Sequence, residues 1–502
     1  MFVNKLKKAL NNDVEYNCSV TENGALGYRT TGKALLDLNF SVASLRSADE
    51  NVIIDKFMKA FYEDREIAVK WLFYARDARE GLGERRLFRV ITEYLCNNNP
   101  EVLKGLIKHI PEYGRFDDMW CILGTQHAQI VIEDIKEQLE SDEDGMENGA
   151  AISLLAKWLP SVNTSSKESV AKAKQIAKAL GMTEAEYRKL LSKLRKHIDV
   201  VEVKMSAKNW GEIKYNTVPS RANLIYSDAF LRNDETRRKK FLLALEKGET
   251  TINAGVLYPH DIVHKYGSSS CSLKNTDTTL EELWKALPDL VNEAGNTIVV
   301  ADGSGSMCVR VGNSGVTALS VANALAIYFA ERSSGQFKNN YITFSENPRL
   351  VDFNKCKSLR EKIEVALRYN EVANTNVKAV FELILKTAIK SKMEQSDLPQ
   401  NVLIISDMEF DTCGGRALNE RLFGTVGREY AKHRYKLPRL VFWNVNSRTG
   451  TIPVKENDLG VALVSGFSVN IAKMVLSGKT DAYECLLEQL NSNRYAPIML
   501  SA

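Results

Sequence analysis

Beyond about residue 290 the chain falls into short β-rich runs, NTIVVAD, NNYITFSE, NVLIISDM and LVFWNVN, separated by helical stretches such as TALSVANALAIYFAERSS and VKAVFELILKTAIKSK. Strands that alternate with helices pair in parallel, because each helix supplies the crossover a parallel connection needs, and the outcome is a doubly wound sheet. YITFSENPRLVDF holds two strand-like halves about a turn, so one edge is expected to be antiparallel. From about 50 to 290 the pattern is helical instead. FMKAFYEDREIAVKWLFYARDAR, RRLFRVITEYLC, PEVLKGLIKHI and DMWCILG carry apolar residues at helix spacing. Their breaks, at Gly81 to Gly83, Pro100 and Pro111 to Gly114, fall where Gly or Pro ends a helix. Helix pairs joined by short loops build α-solenoids, and with no constant period linking them the expected stack is irregular and HEAT-like. The expected fold class is α + α/β, with a helical repeat domain over 1–290 and an α/β domain over 291–502, meeting near the polar stretch from Gly267 to Thr279.

A chain of 502 residues divides naturally into two or three globular units, and 44% hydrophobic with 26% charged residues is an ordinary soluble composition. Eight cysteines with no CxxC pair argue against a zinc ribbon or a disulfide framework and for a reducing compartment. No run approaches the roughly 18 apolar residues of a membrane span, and none follows the N-terminal lysines, so a cytoplasmic protein without membrane contact is expected. The net charge of +4, from 67 Lys and Arg against 63 Asp and Glu, conceals segregation. Residues 160–250 carry 19 basic and 11 acidic side chains, whereas 130–150 carry one Lys and eight acids, read as an acidic linker at 140–149. Helices resume beyond it, with Ser165 and Thr183 as expected N-caps and Glu168 and Glu186 completing capping boxes.

The first strand of the α/β half runs into Asp302-Gly303-Ser304-Gly305-Ser306, on a strand-to-helix loop. In open α/β sheets ligands bind at the carboxyl ends of the strands, and here that edge presents one carboxylate and two hydroxyls. Hard oxygen donors suit Mg²⁺ or Mn²⁺, which retain water and leave a position for another group. Capping of the following helix would account for Asp302 and Ser304 as well. The chain has no GxSxG elbow and no GxxxxGK[ST] loop, and DGSGS lacks the second aspartate of a phosphoryl-transfer DxD site, so a non-enzymatic protein is expected. His260 and His264, at i and i+4, could bind zinc, but no third ligand is evident. With Pro259 starting the helix, a helix packed at a domain junction is the better reading.

Within the basic segment, Lys167, Lys174 and Lys178 fall close to one helix face, and Arg188, Lys189, Lys193, Arg195 and Lys196 follow on the next helix. Such residues supply salt-dependent, largely sequence-independent affinity for phosphates, although solvated helices are also lysine-rich. A second candidate is the Gly81 to Gly83 loop with Arg76, Arg79, Arg85 and Arg86, joined by Arg115, since arginine suits bidentate phosphate contact and base stacking. Asp77, Glu80, Glu84, Asp117 and Asp118 lie among these arginines, which favours ion pairs between helices. Trp71, Phe73 and Tyr74 follow core spacing and need no base-stacking role.

The DxSxS sequence resembles the metal-ion-dependent adhesion site of von Willebrand factor A domains, and the order of elements from about 291 onward is similar to that fold. The resemblance implies two further ligands, a threonine matched by Thr375 in ANTNVKAVFELIL and an aspartate matched by Asp407 in NVLIISDMEFD. It also implies an acidic group donated to the metal by a partner or by another part of the chain. In the helical half, TENGALGYRTTGKALLDLNF, RDAREGLGERRLFRV, IPEYGRFDDMW, YRKLLSKLRKHIDVVEVKMSAKNW, VPSR and INAGVLYPHDIV resemble the Ro-like proteins, in which a TROVE-type helical module precedes an A domain. That family's better-known members, the Ro autoantigen and its bacterial counterparts, imply a ring of helices that binds small structured RNAs on its outside and single-stranded RNA ends in its hole. No RNA-contacting residue is carried over by this resemblance.

Overall fold

The computed structural model of the protein describes residues 17–267, 273–291, 296–312, 315–370, 375–411, 420–453, 461–472 and 481–500. The chain forms two compact units, each assembled from separated segments: Met1–Ala68 with Ala254–Arg494, and Val69–Asn253 with Tyr495–Ala502. The boundary expected at 290/291 is thereby corrected. Residues before 69 and from 254 to 290 belong with the α/β part.

The first unit begins with a hairpin of β1 (Cys18–Val20) and β2 (Leu26–Tyr28), then α1 (Ala34–Phe40) and α2 (Glu50–Glu63). Backbone pairing holds the hairpin there. Tyr28 exchanges both hydrogen bonds with Ile452, at 2.8 Å each, and Gly24 bridges Asp411. The contact requires glycine at 27, where a Cβ would stand 2.7 Å from the Ile452 carbonyl oxygen. Further on, Asn444 Nδ2 donates to the Phe40 carbonyl at 2.8 Å and the Ala43 amide donates to Ser465 Oγ at 3.1 Å.

The described residues of the second unit form helices and the loops that join them, with no strand among them. Its longer helices are α3 (Arg65–Arg76, which enters it at Val69), α4 (Arg85–Asn98), α5 (Ala128–Glu147), α6 (Lys167–Ala179), α7 (Glu184–His197), α8 (Ser220–Asn233) and α9 (Glu235–Glu246). Trp71, Phe73 and Tyr74 are fully buried, Phe73 edge-on to Phe88 and Tyr113, and Tyr495 returns to stack on Tyr113. The expected acidic linker is instead the end of α5. Asp142 is buried, accepting from the Ser153 amide at 2.9 Å and its hydroxyl at 2.7 Å, so it fixes the turn that follows. Thr183 forms its capping box with Glu186, while the cap of α6 is Ser166, one residue beyond the expected Ser165, accepting from the Ser169 amide.

Back in the first unit, α10 (Pro259–Tyr266) and α11 (Thr278–Lys285) precede β3 (Thr297–Asp302). Then follow α12 (Ala318–Arg332), β4 (Asn340–Phe344), β5 (Leu350–Asp352), α13 (Leu359–Arg368), α14 (Val377–Lys390), β6 (Asn401–Ser406), α15 (Glu420–Lys432), β7 (Arg439–Asn444), β8 (Val461–Ser465) and α16 (Ala482–Leu490). The sheet order is β5-β4-β3-β6-β7-β8, parallel except for β5, the antiparallel edge that the sequence predicts. Strand β3 and the edge strand β8 are buried along their whole length, and β6 and β7 at all but their first residue, as expected of a sheet covered on both faces. Parallel pairing aligns Ala301 with Ile405 and Ser406 with Asn444, which brings the ends of β3, β6 and β7 to one edge. Pro259 starts α10 as expected, but that helix packs within the α/β unit. His260 stacks on Tyr258 at 5.3 Å and meets Phe467 edge-on at 5.2 Å, as a core aromatic would.

Candidate functional site

At the carboxyl edge of the sheet, the first strand delivers Asp302 and the loop behind it Ser304 and Ser306. Asp302 Oδ1 accepts from the Ser304 amide at 2.9 Å, and the two serine hydroxyls are 2.9 Å apart. From β6, Ser406 Oγ donates to Asp302 Oδ2 at 2.6 Å and accepts from the Met408 amide at 3.0 Å. Met408 takes a φ of 63°, a left-handed conformation that costs a non-glycine residue on the order of 1 kcal/mol and persists only where its surroundings enforce it. That turn holds Asp407 beside Asp302. Both are 1% exposed.

Two carboxylates buried together make a strained electrostatic pair. Burial, then the facing Asp407, push the Asp302 carboxyl up to about 7, with the hydrogen bonds from Ser406 and Ser304 pulling the other way. Burial raises Asp407 too, against the Glu409 amide and the Arg448 guanidinium. Thr375 is nearly as buried, and its hydroxyl donates to Asp411 Oδ2 and accepts from the Asp411 amide, both at 3.1 Å, which ties it to the loop that carries Asp407. The structure thus links Asp302, Ser304, Ser306 and Asp407 in one cluster and tethers Thr375 to it through Asp411. Among the described residues no three His, Cys, Asp or Glu side chains stand together as metal ligands. A cation here would rest on hydroxyls as much as on carboxylates, and two acids with three hydroxyls are a donor set that fits a hard divalent ion.

Sequence reasoning missed the outer part of this edge. Glu409, 1% exposed, accepts from the amides of Glu22, Arg448 and Thr449 at 2.8, 2.8 and 2.9 Å. Arg448 donates through Nη1 to Asp407 Oδ2 and to the Ser306 carbonyl, each at 3.1 Å, and through Nε to Glu22 Oε2 at 2.8 Å. Burial pulls the guanidinium down, but Glu22, Asp407 and Glu409 outweigh it and hold Arg448 above its ordinary value. Glu409 had a local signal in SDMEFD. Glu22 and Arg448 had none.

The basic candidates separate into engaged and free groups. Arg195 spends its donors on the Ala156 carbonyl, Ser161 Oγ and the Leu159 carbonyl at 2.8, 2.8 and 2.7 Å, so it braces a turn and is corrected from the binding set. Lys174 pairs with Glu184 at 3.0 Å. Lys178, Arg188, Lys189, Lys193 and Lys196 are exposed, and none closes an ion pair among the described residues. Arg188, Ser192 and Arg195 border a groove of about 290 Å³ against Ser161 to Asn163. Lys189, Lys193 and Lys196 form the adjacent stripe at i, i+4 and i+7 of α7.

Around the glycine loop the ion-pair reading holds. Arg76 and Asp118 form a buried pair at 2.6 Å, Arg89 adds to Asp118 at 2.9 Å and Asp117 at 3.1 Å, and Arg115 binds Asp117 while stacking on Trp158. Arg79 bonds the Glu112 carbonyl, Arg85 lies 3.8 Å from Asp118, and Arg86 is exposed.

Residues 296–495 match a family model described as a domain of unknown function (DUF7788), and 115–297 match another described in the same terms (DUF2828). Among solved structures, the chain is similar to the Deinococcus radiodurans RO (RSR) protein, over 87% of this chain and 93% of that one, at 12% identity and a TM-score of 0.35. An overlay that loose carries no site residue across. Among sequences, the uncharacterized protein L728 of Acanthamoeba polyphaga mimivirus is 32% identical over 92% of this chain and 85% of its own length. Identity sustained over that length places the chain in the family of the mimivirus protein L728.

Proposed function

We propose that the protein binds small non-coding or single-stranded RNA on its helical unit and holds Mg²⁺ or Mn²⁺ at the carboxyl edge of its α/β unit, without catalysing a reaction. The RNA reading is carried by α7, where Arg188, Lys189, Lys193 and Lys196 are exposed beside a groove with no ion-paired carboxylate. Charges left in solvent on neighbouring faces of a rigid helix are available to phosphates, and the gain comes from counterion release. The resemblance to Ro-like proteins points to the same class of partner. Among the described residues no helix is long and apolar enough to cross a membrane, and six cysteines are free thiols, which suits the cytoplasm. The test is binding of a labelled single-stranded RNA across a salt series. Affinity that falls steeply with salt, and a shallower slope in the K189E/K193E/K196E variant, support the reading; equal binding by both proteins removes α7 from the site.

A second reading has an observation of its own. The linked Asp302, Ser304, Ser306 and Asp407, with Thr375 tethered beside them, have the chemistry of a site in which a metal takes a carboxylate from a partner protein, with the helices as scaffold. Protein free of nucleic acid at moderate salt, with no salt-sensitive RNA binding, would favour it.

A further inference from the structure

Arg448 lies on a loop beyond β7 and reaches back to the candidate metal ligands. Its Nη1 donates to Asp407 Oδ2 and to the backbone carbonyl of Ser306, both at 3.1 Å, so the guanidinium touches two of the residues a metal would require. Its backbone amide is fixed on buried Glu409 at 2.8 Å, and its side chain is only 26% exposed. The opposite edge of the guanidinium, Nε and Nη2, is taken by Glu22, which the N-terminal hairpin brings over this loop. That placement is rigid, because the Glu22 amide donates to Glu409 Oε2 at 2.8 Å and Thr21 Oγ1 to the Phe410 carbonyl at 2.7 Å.

Like charges repel at this range. A guanidinium bonded to Asp407 neutralises part of the charge that would draw a divalent ion to the Asp302–Asp407 pair, and a divalent ion there raises the cost of keeping Arg448 on Asp407. We propose that Arg448 is a tethered counter-cation of the metal site, competing with Mg²⁺ or Mn²⁺ for Asp407, and that Glu22 is the carboxylate that holds the guanidinium when the metal takes Asp407. This rests on the metal reading above. It makes Arg448 and Glu22, 426 residues apart in the chain, determinants of metal affinity that the five-residue motif does not contain.

The experiment is Mn²⁺ titration of the full-length protein by calorimetry, with thermal melts in the same buffer with and without Mn²⁺. Arg448→Gln removes the charge and keeps most of the side chain's bulk; it is expected to bind Mn²⁺ about tenfold tighter than wild type and to gain more from Mn²⁺ in melting temperature. Arg448→Lys keeps the charge and is expected to stay within about threefold of wild type. Glu22→Gln, at a half-exposed position, releases the guanidinium onto Asp407 and lowers Mn²⁺ affinity several-fold, a result readable even if R448Q does not fold. Wild-type binding with R448Q equal or weaker, or with E22Q unchanged, overturns the proposal and leaves the metal reading standing. Folded wild type and folded R448Q that both fail to bind Mn²⁺ overturn the metal reading and this proposal with it.

Discussion

The carboxyl edge of the sheet and the outer face of α7 hold charge in opposite ways. At the edge, Asp302, Asp407 and Glu409 are each 1% exposed, and their oxygens are bound by amides of their own loops and by a hydroxyl, amides and a guanidinium from distant parts of the chain. On α7 Arg188, Lys189, Lys193 and Lys196 stand in solvent, set only by helix spacing, and none of them closes an ion pair among the described residues. Removing one member of the first set leaves buried groups without partners, so its effects are large and coupled. Removing one member of the second subtracts one screened charge, so its effects are small and nearly additive. Buried charge should therefore respond in stability and metal affinity, and exposed charge in salt-dependent binding.

The largest effect expected from that contrast lies in the helical unit itself, where a buried cluster sits apart from the exposed face. Asp118→Ala strands Arg76, whose side chain is 4% exposed, and should cost about 3–5 kcal/mol. Hydrogen exchange across 69–124 reads this unit, and loss of protection there with Mn²⁺ affinity unchanged is the expected result. A loss under about 1 kcal/mol would place this cluster with the exposed class instead.

Next comes the proposed metal site. Asp302→Ala should weaken Mn²⁺ binding at least about a hundredfold, since it removes a proposed ligand and the partner of Ser406, while RNA binding stays within about twofold. Titration calorimetry and an RNA shift assay on the same preparation check both halves; a matching loss of RNA binding would break the separation of the two sites. The exposed face follows. Charge reversal in K189E/K193E/K196E should lower RNA affinity by roughly thirtyfold and flatten the plot of log K against log salt by about 2, three phosphate contacts at about 0.7 each. Unchanged Mn²⁺ affinity in that variant would sharpen the contrast further.

Where signals were local, the sequence carried them. The DxSxS run, Thr375 and Asp407 each sit at a strand end or on a loop before a helix, and the strand-helix alternation gives the sheet with its antiparallel edge. Contacts between remote segments left no trace. The hairpin at 18–28 belongs to the α/β unit because Tyr28 pairs with Ile452, and the domain boundary cannot be read without that pairing. Arg448 is invisible as a site residue for the same reason, since its partners are Glu22 and Asp407. Composition misled at 140–149, where an acid-rich string that looks like a solvated linker contains Asp142, buried as a structural acceptor. Arg195 misled in the other sense, a cation in a basic run whose donors are all turned inward.

The smallest expected effect concerns one hydroxyl at the start of α6. Sequence spacing puts the cap at Ser165, with Glu168 closing a box, whereas the structure places it at Ser166, whose Oγ accepts from the Ser169 amide at 3.2 Å. Neighbouring serines of equal propensity cannot be told apart by composition, because only the backbone turn decides which hydroxyl reaches the amide three residues on. Ser166→Ala should therefore cost about 1 kcal/mol and speed amide exchange at Ser169, while Ser165→Ala stays within about 0.5 kcal/mol. Since α6 is solvated along this turn, the loss should remain local, leaving exchange in α7 and the affinity of its lysine face for RNA unchanged. If Ser165→Ala gave the larger effect, the register of the α6 start would be one residue earlier. If Ser166→Ala weakened RNA binding tenfold, the basic face would be as coupled as the buried edge of the sheet, and the contrast between the two regions would fail at its exposed side.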